Sequence, residues 1–391
     1  MASAAELDII VYGASGFTGR LVAAYLASRY GSSGGVNWAM AGRSLEKLAA
    51  VRDEIGAPAE TPLIAADASD PASLDAMVDR TKAVLTTVGP YQLYGTALVA
   101  ACAKAGTDYL DLCGEPAWMR QMIDAHHATA QASGARIVFS CGFDSIPFEL
   151  GVFFLQETAK AQLGAPVSRV KGRVRKMRGT HSGGTAASMK ATIAAAARDP
   201  SVLRLLKNPF ALTPGFEGPK QPLGLLPHYD ADVGGWVAPF VMAAINTRNV
   251  HRSNALMGHP WGTDFVYDEM MVAGTEAIAS AIAGAIQAMA GPGGPKPGEG
   301  PSKEEREAGF YDILFLGIST NGQQIRTAVA GDMDPGYGST SKMITESAIC
   351  LVHDSTDVAG GIWTPGAAMR SRLVDRLIAH AGLTFTVEGE R

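Results

Sequence analysis

Three glycines spaced three apart, in Gly13-Ala-Ser15-Gly16-Phe17-Thr18-Gly19, follow an apolar run from Leu7 to Tyr12 and precede a helical pattern from Leu21 to Arg29. A turn of this kind binds phosphate. The first glycine permits the turn, the second lets a pyrophosphate reach the backbone, and the third allows close helix packing, with the helix N-terminus facing the anion. The spacing differs from the commoner dinucleotide fingerprint, but its setting after a strand and before a helix is that of a dinucleotide site. We expect Gly13, Ser15, Gly16, Phe17, Thr18 and Gly19 to hold the cofactor.

About 20 residues further on, a site selective for NAD carries an acid that binds the ribose 2′-hydroxyl. Here a second strand-like run, Val36 to Ala41, ends in Gly42-Arg43-Ser44. A guanidinium pairs bidentately with a 2′-phosphate, and Ser44 and Lys47 add a hydroxyl and a second cation, so the expected cofactor is NADP(H). Asp67, ending a third strand, is expected either at the adenine edge or as a turn cap.

The chemistry is narrowed by what is missing. No tyrosine has a lysine four positions on, which removes the acid pair of the short-chain dehydrogenases. Cys141 could serve as a nucleophile, but a buried inert thiol is the more ordinary role. The four cysteines and eight histidines show no zinc-ligand spacing, so no metal is expected.

The segments Y-G-A-S-G-F-T-G (12 to 19), A-G-R-S (41 to 44), V-G-P-Y-Q-L-Y-G (88 to 95), Y-L-D-L-C-G-E (109 to 115), C-G-F-D-S-I-P (141 to 147), S-G-G-T (182 to 185) and G-G-I-W-T-P-G (360 to 366) carry a resemblance. Together they resemble the saccharopine dehydrogenase-like oxidoreductases over nearly the whole chain, and within them most of all the actinobacterial trans-acting enoyl reductases. That resemblance implies NADPH reduction of a carbon–carbon double bond in a carrier-bound acyl chain, in trans to a polyketide synthase making cell-envelope lipids. It also implies a Rossmann domain, a substrate and dimerisation domain, and a C-terminal return to the first domain.

Such a reduction needs a hydrogen-bond donor for the developing enolate and an acid for the α-carbon, both from loops at strand C-termini. Gly89-Pro90-Tyr91, with Tyr94, and Asp144-Ser145 occupy such loops. Tyr91 is the first choice of donor, with core packing as its alternative; Asp144 is either a turn cap or the acid; Asp111 and Glu115 read as structural. His181-Ser182-Gly-Gly-Thr185 is either an anion nest or a helix cap. From Asn208 to Ser302 cations are few and Met, Phe, Trp and Pro frequent, which suits an acyl chain better than the carboxylates of saccharopine. A carbon–nitrogen oxidoreductase and a redox-silent NADP-binding protein stay open as rivals.

These residues require positioning elements. Strand and helix patterns alternate over the first 145 or so residues, implying an α/β, doubly wound parallel sheet of Rossmann type, followed by a second, α+β domain. The expected division is 1–148, 149–340 and 341–391. Residues 210–262 read as long loops, Gly291 to Pro301, with five Gly and four Pro, as a mobile loop, and Asn321-Gly322 as a hairpin turn. The strand Arg169 to Arg178 places cations on one face, read either as a solvated edge or as a dock for an acidic acyl-carrier protein.

A net charge of -5 argues against nucleic acid. The N-terminus has no positive segment, which points to the cytoplasm. Ala277 to Ala290 is too short for a span, and its apolar character leaves a buried or interfacial helix, with peripheral membrane contact as one use. A homodimer is expected.

Overall fold

The computed structural model describes residues 5–31, 35–179, 183–289 and 300–389. Apolar strand runs alternate with helices as β1 (Leu7–Tyr12), α1 (Phe17–Tyr30), β2 (Trp38–Gly42), α2 (Leu45–Glu54), β3 (Leu63–Ala65), α3 (Pro71–Val78), β4 (Thr81–Thr86), α4 (Tyr91–Tyr94), α5 (Thr96–Ala105), β5 (Asp108–Leu110), α6 (Pro116–Ser133), β6 (Arg136–Val138) and α7 (Ile146–Leu163). Every residue of β1 and β2 is buried, as a parallel sheet covered by helices on both faces requires. The rest of the chain forms β7 (Arg169–Arg178), α8 (Gly183–Arg198), α9 (Pro200–Lys207), β8 (His228–Asp230), β9 (Gly235–Pro239), α10 (Ala243–Leu256), β10 (Val266–Gly274), α11 (Glu276–Met289), α12 (Lys303–Glu307), β11 (Phe310–Ile318), β12 (Gln324–Gly331), α13 (Thr340–Ile349), β13 (Gly361–Trp363), α14 (Pro365–Arg376) and β14 (Leu383–Glu388).

The first sheet is parallel throughout, in the order β13-β6-β5-β4-β1-β2-β3. The order reverses between β1 and β4, and such a switch opens a crevice beyond the strand C-termini. The second sheet runs β14-β12-β11-β7-β10-β9-β8, antiparallel except for the pair β7–β10. This is the expected α/β unit with an α+β companion. α7 covers β11 and β12, α13 lies on α1, and the C-terminal segment supplies one strand to each sheet.

The Asn321-Gly322 hairpin forms as expected, joining β11 to β12 with Gly322 at φ +85°. Other segments depart from expectation. α10 occupies residues 243–256, inside the stretch expected to be loops, because its buried side chains include Asn246, Arg248, Asn249, His251, Arg252, Ser253 and Asn254 and so show no apolar stripe. Its cations are spent on backbone carbonyls: Arg248 donates to Ala244 and Leu206, Arg252 to Leu212 and Ile362. α6 and α7 fill stretches read as no element. α11 packs on the second sheet through Ala279 and Ile282 while leaving Ile278 51% exposed, and no described helix is long and apolar enough to cross a membrane. Residues 291–299 of the expected mobile loop lie outside the described residues.

For the cations from Arg169 to Arg175, both readings, a solvated edge and a dock, are overturned. β7 is the central strand of its sheet, and Arg169, Lys171, Arg173 and Arg175 are each matched by acids on neighbouring elements, while Lys176 and Arg178 at its end are exposed. Arg173, 1% exposed, pairs with Asp230 and Asp268 at 2.9 Å each. Lys171 reaches Asp230 at 2.8 Å and also Asp232, Arg169 meets Asp268, and Arg175 lies 2.6 Å from Asp312 and 2.7 Å from Glu388. Neutralised in this way, Arg169, Lys171, Arg173 and Arg175 offer nothing to an acidic partner.

Replacing Arg173 by Leu would leave the buried Asp230 with Lys171 alone and Asp268 with Arg169 alone, and breaking a buried pair costs roughly 3–5 kcal/mol. Urea denaturation of R173L at neutral pH should show a loss of that order. Burial pushes the Asp230 carboxyl up, but Lys171 and Arg173 outweigh it and hold it below 3.8. A carboxyl held low in the fold stabilises above its unfolded pKa and ceases to do so as pH falls through the folded one. The gap between R173L and the parent should therefore narrow below 3.8. A gap that persists undiminished in acid would mean that the pairing is not its source.

Candidate active site

The glycine turn is built as its chemistry demands. Gly13 takes φ +91°, and a Cβ on Gly19 would stand 2.1 Å from the Gly13 carbonyl oxygen, so only glycine lets α1 lie this close to the end of β1. Gly16 precedes α1 in extended conformation, and no side chain caps the helix. The first-turn amides of α1 thus have no intrahelical acceptor and face the crevice, the arrangement a pyrophosphate needs. Ser15, Phe17 and Thr18 line the same cavity. Phe17 does so from a fixed position, its ring edge-on to Tyr337 at 5.1 Å.

At the adenosine end Gly42, Arg43 and Asp67 line the cavity, and Arg43 is exposed to it. Ser44 caps α2, accepting from the Lys47 amide at 3.2 Å, and neither Ser44 nor Lys47 is among the lining residues. Asp67 has the turn role: its carboxylate accepts from the Ser69 amide at 2.9 Å and hydroxyl at 2.8 Å, bonds that with Arg43 hold its pKa down. The glycine cradle, the uncapped helix and a free arginine where an acid would select NAD together fit NADP.

At the other end the loops after β4, β5 and β6 converge. Thr87, Val88 and Gly89 line the cavity; Pro90 is buried behind them and starts α4. Glu115 accepts from the Tyr91 and Gln92 amides at 2.9 Å and from the Ser188 hydroxyl at 2.8 Å, tying α4 to α8. Tyr91, expected as the enolate donor, is committed elsewhere. Its hydroxyl donates to the Thr86 carbonyl at 3.3 Å and accepts from the Leu112 amide at 3.0 Å, and burial pushes its pKa well up. Tyr91 and Tyr94 both line the cavity, Tyr91 at 5% exposure and Tyr94 at 47%.

Asp144 lines the cavity and has no hydrogen-bond partner among the described residues. Its carboxyl touches open cavity but is enclosed by protein, and burial pushes its pKa up to about 7. The neighbouring Ser145 is buried, at φ +150°, and does not line the cavity; its hydroxyl donates to Asn246 at 3.3 Å and accepts from Asn249 at 2.7 Å. Asn246 in turn donates to Glu269 at 2.9 Å. Ser145 is thus an anchor, fixing the loop that presents Asp144. Asp111, buried, accepts from Tyr109 and from the amides of Cys113 and Ser140, a structural use. Cys141 is fully buried and burial raises its thiol well above its ordinary value, so it is no nucleophile. His181 and Ser182 of the expected nest lie outside the described residues.

The cavity measures about 910 Å³ and continues past Asp144 into a wing walled by Met177, Met189, Ile193, Leu206, Phe240, Met242 and Ile245. Arg43, Asp67 and Asp144 are the only Asp, Glu, Lys or Arg side chains among its described lining residues. The apolar composition read from Asn208 to Ser302 supplies only Phe240, Met242 and Ile245 of these walls; Met177, Met189, Ile193 and Leu206 come from β7, α8 and α9. Sequence reading also missed Pro335, Gly336, Tyr337 and Thr340, which close the cleft from far along the chain.

Residues 9–138 match the saccharopine dehydrogenase NADP-binding domain family. Over the full length, the saccharopine dehydrogenase (L-Glu forming) of Saccharomyces cerevisiae shares the fold at a TM-score of 0.55 with 10% identity, covering 98% of this chain and 100% of that one. A Mycobacterium tuberculosis (strain H37Rv) relative is 41% identical over 411 residues, 97% of each chain. The trans-acting enoyl reductases of Mycobacterium ulcerans (strain Agy99) and Mycobacterium bovis (strain BCG / Pasteur 1173P2) are 38% and 39% identical over 404 residues, 95% of this chain and 96% of each of theirs. The chain is an NADP-dependent oxidoreductase that belongs to the saccharopine dehydrogenase-like family, in the group of the trans-acting enoyl reductases.

Proposed function

We propose that this enzyme reduces the carbon–carbon double bond of an α,β-unsaturated acyl thioester, taking its proton from Asp144 and lodging the acyl chain in the apolar wing. The observation that carries this reading is one cavity that joins the glycine cradle, a carboxyl with no hydrogen-bond partner among the described residues, and walls of Met, Phe, Leu and Ile. A substrate bearing several carboxylates would leave them unpaired there, at a cost of several kcal/mol each.

NADPH, when bound, supplies the hydride. The chain's own groups supply the rest. Gly13, Gly16 and the first turn of α1 hold the pyrophosphate, and Arg43 takes the 2′-phosphate. Asp144, protonated near neutrality, gives its proton to the substrate's α-carbon, and water at the cavity mouth restores it. The Tyr94 hydroxyl donates to the thioester oxygen as charge develops, in place of Tyr91, whose hydroxyl holds the loop in shape. Enclosure by the wing keeps bulk water from the reacting carbons.

Asp144→Asn should lower kcat on a crotonyl thioester by about 100-fold or more, the size of a lost general acid, while NADPH binding followed by fluorescence stays within about twofold. In the parent enzyme kcat should fall as pH rises through about 7, because the acid must hold its proton. Activity that is level across that range, or retained in D144N, would assign the proton to another group. Arg43→Ala should raise the Kd for NADPH roughly 10- to 100-fold, the worth of a charge-assisted contact, and leave that for NADH nearly unchanged. Equal losses for both cofactors would mean that Arg43 does not read the 2′-phosphate.

A further inference from the structure

Resting on the acyl-thioester reading above, we propose that the rim of the cavity mouth formed by α8, α9 and α4 is a docking surface for an acidic carrier domain that delivers the chain on a phosphopantetheine arm. A tethered chain enters only through the mouth, so its carrier must sit on the mouth's rim. The mouth opens where Tyr94 and Ile193 line the cavity and are each 47% exposed. Beside them Leu93 is 62% and Leu203 43% exposed, giving an apolar contact area at the entrance.

The charge of the segment that forms α8 and α9 has the opposite sign to the chain as a whole. The protein carries -5, yet residues 183–207 contain four cations, Lys190, Arg198, Arg204 and Lys207, against the single acid Asp199. Asp199 is used as the cap of α9, accepting from the Ser201 amide at 2.8 Å. Arg198, Arg204 and Lys207 are exposed and make no ion pair among the described residues, in contrast to the neutralised cations of β7. Exposed cations in an acidic protein, carried by the two helices whose Ile193 and Leu206 line the cavity, attract an acidic partner and raise its encounter rate.

The surface is also held in place. Gln92 of α4 donates to Thr192 of α8 at 3.3 Å, Ser188 of α8 to Glu115 at 2.8 Å, and Arg248 of α10 to the Leu206 carbonyl near the end of α9. The helices that wall the wing inside therefore present the cationic rim outside as one unit.

The test compares one enoyl group in two forms, crotonyl-loaded acyl-carrier protein and crotonyl-pantetheine, on the full-length enzyme with NADPH. R204E/K207E should raise KM for the carrier form about tenfold or more and leave crotonyl-pantetheine turnover within about twofold. The neutral R204Q/K207Q should give a smaller shift of the same kind, which guards against a folding defect of the reversed charges. Equal losses on both substrates, or no loss on the carrier, overturn the proposal. So does loss of binding to phosphatidylglycerol vesicles with carrier kinetics intact, since the rim would then serve a membrane. If the parent reduces neither substrate, the proposed reaction fails on its own. Docking is then read from direct binding of the carrier protein by calorimetry: binding abolished by R204E/K207E upholds the surface, and no binding to the parent overturns it.

Discussion

A Cβ at position 19 would stand 2.1 Å from the Gly13 carbonyl oxygen, and the angle at which α1 leaves β1 depends on that Cβ being absent. The consequences run down the helix. Its N-terminus is aimed at the crevice, uncapped, and its far end brings Tyr25 and Tyr30 to Glu346 of α13, at 2.7 and 2.8 Å. Arg376 of α14 meets the same carboxylate at 2.6 Å. α13 in turn starts at Thr340, whose hydroxyl accepts from the Phe143 amide at 3.0 Å, next to Asp144. One close backbone contact thus sets, through a helix and a buried carboxylate, where the C-terminal segment closes the cleft and how the loop carrying the acid is braced.

Burial raises several carboxyls in this protein, so a raised pKa alone does not single out an acid. Asp111 is pushed up to about 7, Glu149 to about 7 and Glu269 to about 8, all by burial. Each of them is occupied: Asp111 by Tyr109 and two amides, Glu149 by Ser253 and the Gly366 amide, Glu269 by Asn246 and Tyr267. A carboxyl that holds neighbouring donors in register is part of the frame, and moving its proton would disturb that frame. Asp144 has the same electrostatic setting, no such partners among the described residues, and a cavity in front of it. The difference between a structural acid and a reactive one here is geometric.

The Rossmann half was legible because its physics is local. β1 and α2 lie on the residues their patterns indicated, since a fully buried strand and a capped helix are written in short stretches of sequence. The second half was less legible because its determinants are tertiary. α10 has no apolar face, so nothing in its period announces a helix; its two arginines donate to the carbonyls of Leu206, Leu212 and Ile362, residues remote in sequence. The alternating cations of β7 were visible, but their partners at Asp230, Asp268, Asp312 and Glu388 come from four other segments, and a strand cannot be called central or edge from itself. Tyr91 was placed in the right loop, and only the amide of Leu112 and the carbonyl of Thr86 reveal that its hydroxyl is already used.

The fate of the arginines separates an acyl pocket from one built for carboxylates. Arg248 and Arg252 stand on α10, which walls the wing, and make no ion pair with a carboxylate among the described residues; burial lowers both to about 10, which still leaves them charged at neutral pH. Were their guanidinium groups turned into the cavity, they would make a strong site for an acidic substrate. Instead each is folded back onto main-chain carbonyls, Arg248 at the last turn of α9 and Arg252 at the loop before β8 and at β13. The cost of burying two charges is spent on fixing the walls of the wing, not on reading a ligand. What the wing presents inward is the apolar surface of α8, α9 and the 240–245 turn, and a surface of that kind recognises length and shape in a hydrocarbon chain.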